Sequence, residues 1–528
     1  MTGLLTEALR GTDRDGFLGQ QSAWERIRTT RRADPATLLF VVLALLFGGV
    51  FSVAVPQVWG PDEPQQFYRA YQVAHGGFLP LHVATVHGAP MFGGQVPRSV
   101  EALKAVGPWR LWDKPVRSPV YGDPAGHRRA EAGSLSGPTE TQWFTNTAAY
   151  APLCYLPQAL ALRAVEAFGG SIGDAIAAMR LAGLAAYTLL VGLAVYALRS
   201  STTQWLAVVV GLLPPAVFQA AVISADTLTN GVSILFLALV TRVAFLHRRL
   251  TAWQTWSLLA AAITLPVLKP TSVVLLPLLL LVRARMLTLR PGVAVGDREE
   301  EAGRKPSPAP GRHLLLSRAV LASATLAGLA LTAWWARVSA PTGNGMGWVR
   351  GAGRENTVRP AEQASFVVHH PWYMVRVLAR TAADHGWRLI EELLSQTGYN
   401  VQGSAVAACL SVVALLLVVG ITERLRPGRW PLVLVSVVLV SGVGAVFGAL
   451  YLGFNPVGLY EVIGVQGRYF IPLALLALVL LCSLLPLRLD VPGPRTRRQV
   501  VVTVAVCLVL SLTVALAKYV LMTYVTIA

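Results

Sequence analysis

Charge is scarce in this sequence, and acid scarcest: its 528 residues hold 27 Asp and Glu against 45 Lys and Arg, and 54% of the chain is hydrophobic. That is too little polar surface for a soluble globule of this size, so the implied solvent is lipid. Cysteine is rarer still. The four (Cys154, Cys409, Cys482, Cys507) stand in or beside apolar segments without paired spacing, which argues against a zinc module or disulfide framework. There is no nucleotide-binding glycine loop and no residue-level internal repeat, so ATP is not the expected energy source. The net charge of +18 would suggest nucleic acid in a soluble chain. Here no basic run is interleaved with aromatics, and Arg and Lys cluster beside apolar segments, where they report topology instead.

What the chain has in quantity is apolar runs of spanning length. The first, about residues 37–56, follows the basic leader RIRTTRRADP, which places residues 1–35 in the cytoplasm. It starts too late for a cleaved signal peptide and is expected to remain as an anchor. Further spans are predicted near 176–198, 204–222, 226–246, 252–268, 270–286, 314–337, 403–421, 430–452, 468–487 and 499–522. The stretch 148–166, with two prolines, Arg163 and Glu166, decides the orientation of everything after it. If it crosses, the basic loops after 246 and 286 fall outside. If it lies at the outer surface, Arg199, the HRR at 247–249, the RAR at 283–285, TERLRPGR at 422–429 and PRTRR at 494–498 all fall inside. The second arrangement is favoured.

It predicts an all-α polytopic protein of about 11 transmembrane helices (10–13), with its N-terminus inside, in the cytoplasmic (plasma) membrane. Residues 57–147 form a long first extracytoplasmic loop, 289–313 a flexible charged cytoplasmic loop, and 338–402 a second large outer loop. Residues 491–528 form a basic cytoplasmic loop and the final span. No soluble domain is expected, and 371–395 has the apolar spacing of an interfacial helix.

Several polar residues converge on the outer face this topology defines. Asp62 and Glu63 adjoin each other in VWGPDEPQQFYRAYQ, braced by Pro61 and Pro64 ahead of a predicted helix. Such a pair either caps the helix, or supplies a base that takes a proton from an acceptor hydroxyl while its neighbour orients that hydroxyl or a cation. Asp226 in ISADTLTNG is an ionisable residue at membrane depth, with capping of the next span as the plainer alternative. Lys269 in LPVLKPTSVV stands where Pro270 breaks the chain, placed to hold a phosphate or to snorkel to the interface. Arg468 in GVQGRYFIP opens a span at the same face, and its fork suits phosphate better than lysine does. The outer-loop histidines (His75, His82, His87, His127, His369, His370, His385) match no zinc spacing, and no metal site is expected. Trp143, Tyr150 and Tyr155 could stack on a sugar or serve as interfacial anchors.

Taken in order, PDEPQQFYRAYQ, NTAAYAPLCYLPQAL, SADTLTNG, LKPTSVVLLPLLL and VQGRYFIPLALL resemble the bacterial membrane proteins grouped as domain-of-unknown-function family 2142, over about residues 40–490. That family in turn resembles the GT-C superfamily of glycosyltransferases, which includes protein O-mannosyltransferases and lipid A aminoarabinose transferases. The resemblance implies a GT-C-like domain over 36–490 and a polyprenyl-phosphate-linked sugar as donor. It matches Asp62 to the general base and Glu63 to its companion. Arg468 and Lys269 would then bind the donor phosphate, and Asp226, Gln66 and Tyr469 would contact substrate. Gln66 departs from related patterns that carry His at this point, so histidine-assisted metal or phosphate binding is not implied there. No tightly bound cofactor is expected, and a divalent cation is left open. The expected acceptor is an extracytoplasmic polysaccharide, lipid or protein of the cell envelope. Two alternatives stand beside this reading. One is a transporter or flippase of lipid-linked saccharides, which predicts charges deep in spans and often repeat symmetry. The other is a non-catalytic cell-envelope assembly protein whose long outer loop binds a partner.

Overall fold

A computed structural model describes residues 34–86, 88–106, 123–199, 201–289, 310–343, 358–398, 403–485, 489 and 493–525. Nearly all of the basic leader, most of the 289–313 loop and His87 lie outside the described residues. Helix α1 (Pro35–Ala54) starts where Asp34 accepts the Thr37 amide at 2.9 Å and Pro35 fills a position that needs no donor. A second helix, α2 (Glu63–Ala74), begins after a loop of eight residues, 55–62. The segment that follows builds a cap. Strands β1 (Leu81–Val86), β2 (Ala89–Pro97) and β3 (Thr139–Trp143) pair antiparallel in that order, joined by α3 (Arg98–Ala105) and α4 (Pro124–Glu131). Gln72 ties α2 to β2 through the Gly93 carbonyl at 3.0 Å. The all-α polytopic architecture holds, and this small three-stranded sheet in the outer segment is the one addition to it among the described residues. The period-two run LHVATV pairs antiparallel with APMFGG, a hairpin that the long apolar spans overshadow in the sequence.

The ambiguous stretch 148–166 becomes a 3-10 turn at Pro152–Tyr155 and then α5 (Leu156–Ala167). Its 12 residues reach only about 18 Å, well short of a hydrocarbon core of about 30 Å. The next helix, α6 (Ile172–Ala197), runs antiparallel to α1. Leu184 lies over Gly48, Arg180 donates to Ser52 O at 2.9 Å, and Gln57 donates to Gly173 O at 3.1 Å. The end of α1 and the start of α6 are therefore neighbours, and the described residues between them stay at that end of the bundle.

The chain continues as the broken pair α7 (Gln204–Gly211) and α8 (Pro214–Ala220), α9 (Asp226–Ala244), α10 (Ala252–Leu268), a 3-10 helix (Pro270–Leu281) and α11 (Pro310–Ser339). Then come α12 (Pro360–His369), α13 (Pro371–Ser395), α14 (Ala405–Ile421), α15 (Arg429–Phe454), α16 (Ile471–Leu484) and α17 (Gly493–Tyr524). Among the described residues seven helices are long and apolar enough to cross a membrane: α1, α6, α9, Leu314–Gly343, α15, Gly467–Leu484 and α17. Shorter apolar passes are made by α10, the 3-10 helix and α14, and by α7–α8, which Pro214 and Pro215 interrupt. Among the described residues these helices run back and forth between two ends of the bundle.

Those ends differ in charge. At one, Arg242 donates to Ala197 O at 2.7 Å, Arg249 to Arg285 O at 2.8 Å, and Ser201 to the Glu423 carboxylate, while Arg497 and Arg498 line a crevice with Ser201. This is the basic end. At the other, Tyr524 donates to Ala54 O at 2.8 Å, Trp335 to Ala149 O at 2.9 Å, and Lys518 to Gly403 O at 2.6 Å. The cap sits there, as does α13, which spans Pro371–Ser395 as its spacing predicts.

Candidate functional site

The loop linking α1 to α2 is strained. Val58 and Asp62 take φ of 59° and 52°, a left-handed conformation that is costly above all for a β-branched residue. Glu63 holds this loop in place. Its side chain is fully buried and receives Arg180 through both oxygens, Nε to Oε1 at 2.8 Å and Nη2 to Oε2 at 2.6 Å. The same carboxylate accepts the Gly60 amide at 2.9 Å and the Ile223 amide at 3.0 Å. Arg180 in turn donates to the carbonyls of Val55 at 2.6 Å and Pro56 at 2.9 Å. Every acceptor site of Glu63 is directed inward, so its geometry is that of a clamp and not of a companion base facing a substrate. Arg180 escaped notice in the sequence, where a lone arginine within an apolar span is the available signal.

Asp62, one residue earlier, has the opposite setting. It precedes the first turn of α2 but makes no capping hydrogen bond, and among the described residues its carboxylate has no hydrogen-bond partner. Burial raises its pKa above the ordinary 3.8, Arg468 pulls it back and Asp226 pushes it further up. Asp62, Arg468 and Asp226 therefore lie within electrostatic reach of one another. Asp226 is the first residue of α9, with Ala225 at the cap position, and its Oδ1 takes a hydrogen bond from Lys269 Nζ at 2.7 Å. These two side chains keep 15% and 16% of their surface exposed, so the pair is open to a competing ligand. Lys269 is held out in extended backbone at the end of α10, where Pro270 starts the 3-10 helix. The Tyr469 ring lies beneath both cations, with its centroid 4.9 Å from Lys269 Nζ and 5.4 Å from the Arg468 guanidinium.

Supporting residues come from the cap side. Gln66 is buried, accepting from the Tyr155 hydroxyl and from the Ala225 amide at 3.3 Å, and so links α2 to the start of α9. Its acceptor oxygen is occupied by protein, which leaves only its amide nitrogen to reach a substrate. Arg69, fully buried, donates to the carbonyls of Tyr150 at 3.1 Å and Phe78 at 2.8 Å, fixing the Tyr150 loop. The Tyr150 phenol is kept neutral by burial and by the carboxylates of Asp226 and Asp62. Cys154, whose thiol burial pushes up to about 12, donates to Leu268 O at 3.3 Å and locks the 3-10 turn against Lys269. On the other side Glu392 accepts the Gly467 amide at 2.8 Å, and a Cβ at Gly467 would stand 2.3 Å from Leu389 O of α13. Only glycine lets the Arg468 turn approach this closely. The adjoining crevice, lined by Lys269, Ser272, Tyr469 and Pro472, holds about 10 Å³, space for about one water.

Of the seven residues singled out in the sequence, five (Asp62, Asp226, Lys269, Arg468, Tyr469) thus form one cluster at the end away from the basic loops, Gln66 braces it, and Glu63 lies behind it. Such a cluster offers one carboxylate without a bound proton donor, a second carboxylate held by a lysine, and two cations able to turn toward an anion. Among the described residues, no three His, Cys, Asp or Glu side chains gather as metal ligands.

Seven helices of spanning length among the described residues, with shorter apolar helices beside them and a polar cluster at one end, define a polytopic α-helical membrane protein. The chain belongs to the family described as predicted membrane protein (DUF2142), whose model matches residues 45–477 and takes in every residue of the cluster. No curated protein and no solved structure matches it.

Proposed function

We propose that this protein is a membrane glycosyltransferase of GT-C type, which moves a sugar from a polyprenyl-phosphate-linked donor to an extracytoplasmic acceptor of the cell envelope. The observation that carries the reading is the meeting of Asp62 with Asp226, Lys269 and Arg468 at the end opposite the basic loops. By the positive-inside rule that end faces out of the cytoplasm, where a lipid-linked donor would present its sugar. In the proposed reaction the Asp62 carboxylate accepts the proton of an acceptor hydroxyl while the hydroxyl oxygen bonds to the anomeric carbon. The bond from that carbon to the phosphate oxygen breaks with its electron pair, and the polyprenyl phosphate leaves as an anion against Arg468 and Lys269. A raised pKa makes Asp62 a stronger base once ionised.

Asp226 fits the role of holding Lys269 until the donor phosphate competes for it, and Tyr469 that of a platform for both cations. Donor entry requires this pair to part, because the crevice beside it is small. A flippase would use ionisable groups along a path through the bundle. Arg180, an arginine within α6, is instead locked to Glu63 and to backbone carbonyls. The test is a panel of polyprenyl-phosphate sugars given to purified protein, with release of polyprenyl phosphate as readout. Release from at least one donor, lost in Asp62→Asn, is expected. Equal release by a folded Asp62→Asn variant overturns the assigned base, and vectorial movement of intact donor across proteoliposomes without release favours the flippase.

A further inference from the structure

Far from the cluster, the outer surface of the bundle carries a groove of about 1260 Å³ between the 3-10 helix and α11. It is larger than a typical small-molecule pocket of roughly 300–1,000 Å³. Its origin is local. A 3-10 helix stacks side chains three apart, so Val273, Leu276, Leu279 and Val282 form one wall row, with Pro277 and Leu280 in the row beside it. The opposite wall is one face of α11, including Leu321, Leu326 and Leu329. That helix is drawn to α10 instead, where a Cβ at Gly328 would stand 2.4 Å from Ala262 O, and so it stands off from the 3-10 helix.

The charges of this groove are all of one sign and all at one end. Arg283 and Arg285 follow the 3-10 helix, and Arg318 faces them from the first turns of α11. All three side chains are exposed, and none meets a carboxylate among the described residues. They lie at the basic end, because Arg249 holds the Arg285 carbonyl there. The rest of the lining is apolar but for Thr325.

We propose that this groove is a binding site for one anionic glycerophospholipid of the leaflet at the basic end, its phosphate held by Arg283, Arg285 and Arg318 and its acyl chains laid along the two apolar walls. Charge complementarity selects the occupant. Three guanidinium groups at the headgroup level call for a phosphate-bearing lipid, and a zwitterionic headgroup would bring its own cation to the same place. A polyprenyl phosphate engaged in transfer would place its phosphate at Lys269, at the opposite end of the 3-10 helix. The site is thus separate from the proposed reaction and stands or falls without it.

The test uses the full chain in lipid-depleted detergent, with thermal stability followed during titration of phosphatidylglycerol, phosphatidylcholine or undecaprenyl phosphate. Wild type should show a saturable rise with phosphatidylglycerol at concentrations roughly tenfold below those needed for phosphatidylcholine. The Arg283→Gln/Arg285→Gln/Arg318→Gln variant should lose that preference. Should this variant fail to fold, Ala322→Trp, which fills the groove and keeps the charges, should abolish saturation. Equal response to the two phospholipids, a preference retained in either variant, or saturation by undecaprenyl phosphate alone overturns the proposal.

Discussion

Arg180→Met, set beside Glu63→Gln, separates a structural clamp from a catalytic pair. In the native protein both partners are buried, and the guanidinium meets both carboxylate oxygens and the carbonyls of Ser52, Val55 and Pro56. Breaking a buried pair on one side costs about 3–5 kcal/mol, because the remaining charge is left in a poor solvent. Each of the three carbonyls also loses a donor, at roughly 1 kcal/mol apiece. Arg180→Met should therefore lose about 5 kcal/mol or more, comparable to the whole stability of an ordinary domain. Glu63→Gln should lose less, since it retains one carbonyl oxygen. The double variant Glu63→Leu/Arg180→Met removes both charges and should recover much of the loss of the worse single variant. The assay is apparent melting in detergent, read by loss of the monodisperse peak after heating. If Arg180→Met and Glu63→Gln melt as wild type does, or if Glu63→Gln loses only activity, the clamp is refuted and Glu63 returns to the reaction.

Asp62→Asn should raise thermal stability at neutral pH, because it removes a carboxylate whose folded-state pKa lies above the ordinary value; asparagine also tolerates the left-handed backbone. Protonated Asp62 is favoured in the folded state, so its contribution is fully present below pH 3.8, is lost as pH rises through the raised folded pKa, and the gain from Asn should vanish in acid. A variant less stable than wild type at pH 7 would contradict this. Lys269→Gln and Arg468→Gln should each lower kcat/KM for donor by roughly 10- to 100-fold, as expected for one charge-assisted phosphate contact. Rates unchanged in both would place the phosphate elsewhere. Single cysteines should report topology in intact cells: Arg128→Cys in the cap should react with an impermeant maleimide, and Arg424→Cys only after permeabilisation. The reverse pattern would invert the bundle.

The arrangement of the helices about two ends is legible in the sequence because basic residues are dense at one of them and because a 12-residue helix with Pro152 before it and Pro157 in its first turn, α5, is too short to span. The site cluster is legible for the same reason. Once 148–166 is kept at the surface, Asp62, Asp226, Lys269 and Arg468 must share an end, and packing draws them together. The division of labour between Asp62 and Glu63 is not legible. It depends on which acid faces Arg180, and that goes with the left-handed backbone at Asp62 and with tertiary contacts from α6 and Ile223. The cap's short strands are hidden by the stronger signal of the spans. The 3-10 character of Pro270–Leu281 is hidden because its apolar run suits an α-helix equally well.

Whether Asp62 is the base of a glycosyl transfer is decided by the rate at which purified protein releases polyprenyl phosphate from a polyprenyl-phosphate sugar in the presence of acceptor, compared between wild type and Asp62→Asn. Release by wild type is expected, with a loss of several orders of magnitude in a variant that melts no lower. No release from any donor, or release that Asp62→Asn leaves intact, would contradict that role.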